Sequence, residues 1–293
     1  MSVKIKAVSF AILAAALYAI NVPFSKVIMN NAEPTMMAAF LYLGAGVGLL
    51  MYSGVKKLSG IETKSEKLTR KELPYTIAMV VLDILAPILL MIGITKTASA
   101  NVSLLNNFEI VATTIIALLF FKEAVSKRLW LAIGLVTVAS ILLSFEGEGS
   151  FVFNEGSLYV TGACLAWGVE NNCTKMLSSK SSTETTIIKG CFSGLGSLAV
   201  AFFVGESLPG WKTIPVIMML GFVAYGLSIK LYIMAQKDLG AAKTSAFYSV
   251  APFLGVVFSF IVLRESPGVQ FYIGLVLMLI ATWVMIKDTA DSE

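Results

Sequence analysis

The sequence predicts an all-α membrane protein: ten transmembrane helices in two inverted five-helix repeats around a central cavity. Three observations carry this. The chain is 57% hydrophobic and only 14% charged, where a soluble domain is about 45–50% apolar and about 25% charged. Apolar runs of bilayer length recur along the whole chain. Two polar-interrupted stretches also match each other in length and pattern: YAINVPFSK at residues 18–26 and WGVENNCTK at residues 167–175.

A helix needs about 20 apolar residues to cross a bilayer. The first such run, 7–28, follows Lys4 and Lys6, is too long for a typical signal peptide core and is read as retained. The second, 34–55, carries Gly44 and Gly48, a GxxxG spacing that lets helices approach closely. The third, 73–94, contains Asp83 and Pro87. The fourth, 100–119, holds Asn101, Ser103, Asn106, Asn107 and Glu109. The fifth is 127–144. The sixth, 155–177, contains WGVENNCTK. The seventh, 184–204, repeats GxxxG at Gly190 and Gly194. The eighth, 212–235, carries Tyr225 and Lys230; the ninth, 242–263, Tyr248 and Pro252; the tenth is 268–286. Pro23, Pro87 and Pro252 are expected to kink their spans.

The connecting segments sort by charge. One side collects Lys4, Lys6, Lys56, Lys57, Lys64, Lys67, Arg70, Lys71, Lys122, Lys127, Arg128, Lys175, Lys180, Lys189, Lys237, Lys243 and Lys287. The other collects Lys26, Lys96, Lys212 and Arg264. The excess of cations on one side predicts a multi-pass cell-membrane protein with both termini in the cytoplasm. The acidic 145–155 connection suits the outside.

The repeat extends beyond its opening stretches. Residues 100–143 and 242–285 align, with Lys122-Glu123 against Arg264-Glu265. The division falls between 1–148 and 149–293. With five spans per half, the second half starts on the opposite face, which inverts it. Inverted repeats with a midplane site between them are a recurrent transporter architecture.

Ten spans, two five-span halves, an aromatic-to-Lys opening and a Lys/Arg-Glu pair after the fourth span of each half resemble the drug/metabolite transporter superfamily, in particular its EamA branch. Where many members carry Glu-Pro, this chain has Glu109-Ile110 in one half and Ala251-Pro252 in the other. The resemblance implies a basket of helices around a cavity lined mainly by spans 1, 3, 4, 6, 8 and 9. It also implies export or exchange of small metabolites, often coupled to protons.

The residues themselves nominate a site. An ionisable side chain at the centre of a spanning helix costs about 2.5–3.5 kcal/mol and usually faces a cavity or a partner. Asp83 and Glu109, near mid-span, are expected to share the cavity, with at least one as a proton site. Glu170 and Lys230 are expected to pair as part of an inner gate, with Lys26 and Lys175 as helix-end or gate residues. Asn21, Asn106, Asn107 and Asn171 offer donors and acceptors to a polar solute, and Trp167, Tyr225 and Tyr248 offer rings. The acidic excess favours protons or a cationic or zwitterionic, amino-acid-like solute.

The absence of histidine excludes His-centred triads and most catalytic zinc sites. The three cysteines do not read as a disulfide framework. No cofactor, metal, nucleic-acid partner or enzyme activity is expected. A passive facilitator or exchanger is the nearest alternative, and a membrane sensor or scaffold the alternative of another class. The GxxxG spans leave monomer and homodimer open.

Overall fold

The computed structural model describes residues 3–59, 66–121, 126–143, 145–146, 152–264 and 268–291. It is helical throughout, apart from a two-residue-per-strand hairpin in which Phe145 and Glu146 pair antiparallel with Phe153 and Val152. Lys122, Glu123 and Glu265 lie outside the described residues, so the expected turn pairs after the fourth and ninth spans do too.

The chain opens with α1 (Val3–Tyr18) and α2 (Asn21–Ile28), then α3 (Pro34–Leu58) and α4 (Leu73–Lys96). Next come α5 (Ser99–Leu105), α6 (Phe108–Phe121) and α7 (Lys127–Leu143). After the hairpin follow α8 (Glu155–Leu177), α9 (Ser182–Phe203) and α10 (Thr213–Gly221). A π-helical segment, Phe222–Leu227, joins α10 to α11 (Ser228–Leu239), and α12 (Ala241–Tyr248), α13 (Ala251–Leu263) and α14 (Val269–Asp291) complete the chain. Among the described residues, six runs are long and apolar enough to cross a bilayer: Ile5–Ile28, Pro34–Leu58, Arg70–Lys96, Ser99–Phe120, Ser182–Phe203 and Thr213–Leu239. Ala251–Leu263 and Val269–Val284 are shorter apolar helices. α8 is long enough at 23 residues, but its Glu155, Glu170, Asn171, Asn172 and Lys175 dilute its apolar character.

Three runs are interrupted, two of them where a proline dictates. Proline has no N–H for the carbonyl four residues earlier. Pro23 thus releases Ala19, where α1 gives way to α2, and Pro252 releases Tyr248, where α12 ends. The third break falls at Asn106 and Asn107, whose carbonyls accept tight bonds from Glu109 (3.1 Å) and Ile110 (3.1 Å) three residues on. α4, by contrast, runs unbroken through Pro87. Gly240, at φ 80°, supplies the left-handed residue that ends α11 and starts α12.

α3 packs on α9, α4 on α8, α1 on α11, α5 on α13 and α7 on α14. Both GxxxG motifs are used inside the chain. Gly190 and Gly194 receive Gly46 and Leu43 of α3, while Gly44 and Gly48 receive Met218 and Phe222. A Cβ on Gly190 would stand 2.3 Å from the Gly46 nitrogen, so Gly190→Val must force α3 and α9 apart. Overpacking of this kind costs about 1–3 kcal/mol. The expected result is a lower unfolding temperature in detergent, with Gly54→Ala, whose new Cβ meets nothing within 4 Å, unchanged.

One end of the helix assembly is tied shut. Lys26 donates to the Thr97 carbonyl at the C-terminus of α4, Lys96 pairs with Glu155 at 3.1 Å, and Glu206 accepts from the backbone N–H of Thr35 (3.0 Å) and Met36 (2.7 Å) at the start of α3. The other end holds an open vestibule of about 1520 Å3.

Candidate functional site in the helix interior

Between the two ends lies a small chamber of about 50 Å3, lined by Tyr18, Tyr42, Glu109, Trp167, Glu170, Asn171, Lys189, Tyr225, Ile229, Tyr232 and Tyr248. These side chains come from α1, α3, α6, α8, α9, the π segment, α11 and α12. A cavity of this size holds a few water molecules, not a metabolite.

The floor is a charge cluster built on Lys189 of α9. Its Nζ lies 2.9 Å from Glu170 Oε1 of α8 and 3.2 Å from Asp83 Oδ2 of α4. Glu170 also accepts from the Thr174 hydroxyl one turn on, and Asp83 accepts from the Tyr42 hydroxyl at 2.8 Å. Burying these ions is tolerable because each charge faces an opposite charge and a hydroxyl donates to each carboxylate, Tyr42 to Asp83 Oδ1 and Thr174 to Glu170 Oε1. Glu109 differs. Its Oε1 accepts from Asn171 Nδ2 at 2.6 Å, and among the described residues no lysine or arginine pairs with it.

The walls are aromatic. Tyr18 stands edge-on to Trp167 with centroids 6.4 Å apart, and edge-on to Tyr225 at 5.7 Å. Tyr18 and Tyr248 are 5.8 Å apart, Tyr42 and Tyr225 5.0 Å, and Tyr232 and Tyr248 5.0 Å. Thus Tyr18 and Trp167, which open the two matching sequence stretches, meet across the chamber. Two of the hydroxyls are held in place as follows: Asn21 Nδ2 donates to Tyr225 (3.1 Å), with Ser25 closing on Asn21 (3.0 Å), and Tyr232 shares a 2.7 Å bond with Ser245. Tyr225→Phe should strand the buried Asn21 donor and destabilise by about 1–3 kcal/mol, readable as a lower unfolding temperature that Asn21→Leu, Tyr225→Phe together partly restores.

A sequence model of the EamA-like transporter family matches residues 5–145 and again 154–287. The chain belongs to that family. It is 24% identical over 291 residues to an uncharacterised transporter of Methanothermobacter thermautotrophicus, spanning 94% of this chain and 84% of that one. It is also 24% identical to an uncharacterised transporter of Synechocystis sp., over 89% of this chain and 78% of the other. In fold it resembles a solved crystal structure with a TM-score of 0.73 at 13% identity, covering 95% and 94% of the two chains.

The expected site of this EamA-like chain is corrected at several points. Glu170 pairs with Lys189, not with Lys230. Lys230 points away into the vestibule, 4.5 Å over the Tyr52 ring, because it lies on the face of α11 opposite Ile229 and Tyr232. Lys189, assigned above to a loop, is buried seven residues into α9. Asp83 and Glu109 do not share the cavity: Asp83 is fully buried behind Tyr42 and Lys189, and only Glu109 lines the chamber. The third span contributes no lining residue, whereas the second and seventh supply Tyr42 and Lys189.

The other expected residues divide. Asn171, Trp167, Tyr225 and Tyr248 line the chamber. Asn106 and Asn107 line a separate cavity of about 20 Å3 on the far side of Glu109 and Tyr248, where their Oδ1 atoms lack a hydrogen-bond partner. Asn21 lines neither cavity and acts through Tyr225. Lys26 caps α4, and Lys175 sits in the last turn of α8. Sequence reasoning missed Lys189 and Tyr232. Lys189 carried a usable signal: a cation inside the apolar run Ile187-Ile188-Lys189-Gly190-Cys191.

Proposed function

We propose that this EamA-like protein is a secondary active transporter of a small polar organic metabolite bearing a positive charge, cationic or zwitterionic, moved by alternating access. The observation that carries the proposal is Glu109, a half-buried carboxylate that among the described residues has no cationic partner, in an aromatic-walled chamber whose other carboxylate, Glu170, shares Lys189 with Asp83 behind it. An unpaired carboxylate stripped of much of its water is costly. A proton or an ammonium group arriving at Glu109 removes that cost, and the surrounding rings attract a cation through their faces.

The alternating-access part rests on the two halves. The same family model matches each half, Tyr18 and Trp167 face each other, and the helix pairings exchange into themselves when the halves are swapped. These observations support a reading as ten spans in two inverted repeats, 1–148 and 149–293. Inverted halves provide two related packings of one sequence, as alternating access requires. On this reading the lysine-rich vestibule opens to the cytoplasm of a cell-membrane protein, and the ties at Lys26, Lys96 and Glu206 close the outside. The chamber is then a contracted site. To admit a solute, α11 must carry Ile229 and Tyr232 aside, and the adjoining π segment Phe222–Leu227 is the place where its bonding can readjust.

The test is a thermal-shift screen of metabolites on purified protein, since a ligand that binds the folded state stabilises it, followed by proteoliposome flux with and without a pH gradient. Amine-bearing hits whose uptake follows the gradient agree with the proposal. Uptake that ignores the gradient points to a facilitator, and a screen in which only anions stabilise would remove the cation reading.

A further inference from the structure

Lys230 has no part in the chamber, and its surroundings point to a second ligand. It lies nine residues before the end of α11, so at about 1.5 Å per residue it sits roughly 13 Å inside that end. It is part-buried, with its ammonium over Tyr52 of α3 and, among the described residues, no carboxylate paired to it. Positive-inside sorting explains lysines in loops; it does not explain one this deep in a helix.

The vestibule around it is both cationic and apolar. Lys6, Lys56, Lys57, Lys67 and Lys237 line it beside Lys230. Glu184 and Asp238 are the acids on the same wall, and Lys180 at the rim is taken by Glu66 at 2.9 Å and Glu72 at 3.7 Å. The inner wall is Phe10, Leu13 and Leu17 of α1 facing Leu50 of α3. Leu13 and Leu50 are about half exposed. α1 packs on α11 and α3 on α9, but α1 and α3 do not pack closely on each other, so their apolar side chains line the vestibule without closing on one another. The volume of about 1520 Å3 exceeds the roughly 300–1,000 Å3 of a small-molecule pocket.

We propose that this vestibule binds an anionic phospholipid, its phosphate held by Lys230 with the neighbouring lysines and its acyl chains leaving between α1 and α3. A soluble phosphate would satisfy the lysines but leave the leucine and phenylalanine wall wet; a zwitterionic lipid would cover the wall but bring no net charge to the cluster. Basic pockets between helices on the cytoplasmic side are a recognised setting for such headgroups.

The experiment titrates the full chain, in a neutral detergent, with dioctanoyl phosphatidylglycerol, dioctanoyl phosphatidylcholine or glycerol phosphate, and reads the unfolding temperature. Phosphatidylglycerol alone should stabilise the protein, with an effect that weakens as salt is raised. Lys230→Gln should weaken the apparent affinity about tenfold while leaving the lipid-free unfolding temperature unchanged. Should that variant not fold, Lys237→Gln at the exposed mouth should weaken it two- to threefold. Equal stabilisation by phosphatidylcholine, full stabilisation by glycerol phosphate, or an unaltered titration of the lysine variants would each overturn the proposal.

Discussion

Lys189→Met is expected to destabilise the protein by about 3–5 kcal/mol, the largest effect of any single substitution here. Removing one member of a buried ion pair leaves an uncompensated charge in a low-dielectric interior, and Lys189 serves two carboxylates at once. Asp83, fully buried, would keep only the Tyr42 hydroxyl, and Glu170 only the Thr174 hydroxyl. Chemical or thermal unfolding in detergent measures the loss. The decisive control removes all three charges together. In Asp83→Asn, Glu170→Gln, Lys189→Met the unpaired ions are gone, the Tyr42 and Thr174 hydroxyls still meet side-chain oxygens, and most of the stability should return. A single mutant as stable as the parent, or a triple mutant no better than the single, contradicts the three-centre cluster. Lys189→Arg should fall between, because a planar guanidinium does not reproduce a point ammonium set between two carboxylates.

Asp83, Glu109 and Glu170 could be singled out from sequence because a carboxylate inside an apolar run is costly wherever the helix turns. Their partners could not, because partnership depends on packing. Lys189 reaches Asp83 only because α9 lies on α3 through the Gly46–Gly190 contact and on α4 at the same level. Lys230 looked as suitable by depth, yet its helix face turns it to the vestibule. The prolines were half legible. Pro23 and Pro252 mark real helix breaks, since they free carbonyls four residues earlier, whereas Pro87 lies within a continuous helix. The break at Asn106 and Asn107 carries no proline and was readable only as an unusual amide pair. The halves of the chain were visible as a repeat, but the meeting of Tyr18 and Trp167, and the tyrosine ring they belong to, follows from how the halves fold onto each other.

The second large effect is functional and should leave the fold intact. In Glu109→Gln the side chain keeps an oxygen for the Asn171 amide, which now sits 2.6 Å from Glu109, so the unfolding temperature should stay close to that of the parent. What disappears is the one carboxylate in the chamber without a resident cation. A hydrogen bond to a charged group contributes about 1.5–3 kcal/mol, so binding of an amine-bearing solute should weaken by about 10- to 100-fold, and flux driven by a pH gradient should vanish if Glu109 also carries the proton. Exchange of labelled for unlabelled solute across proteoliposomes, compared with gradient-driven uptake, separates these losses. Loss of uptake with exchange preserved assigns Glu109 to the proton; loss of both assigns it to the solute. A variant that binds and moves cationic solutes as the parent does would take Glu109 out of the mechanism. The charge logic would then fail with it, since Asp83 and Glu170 already hold Lys189 between them and no other carboxylate lines the chamber.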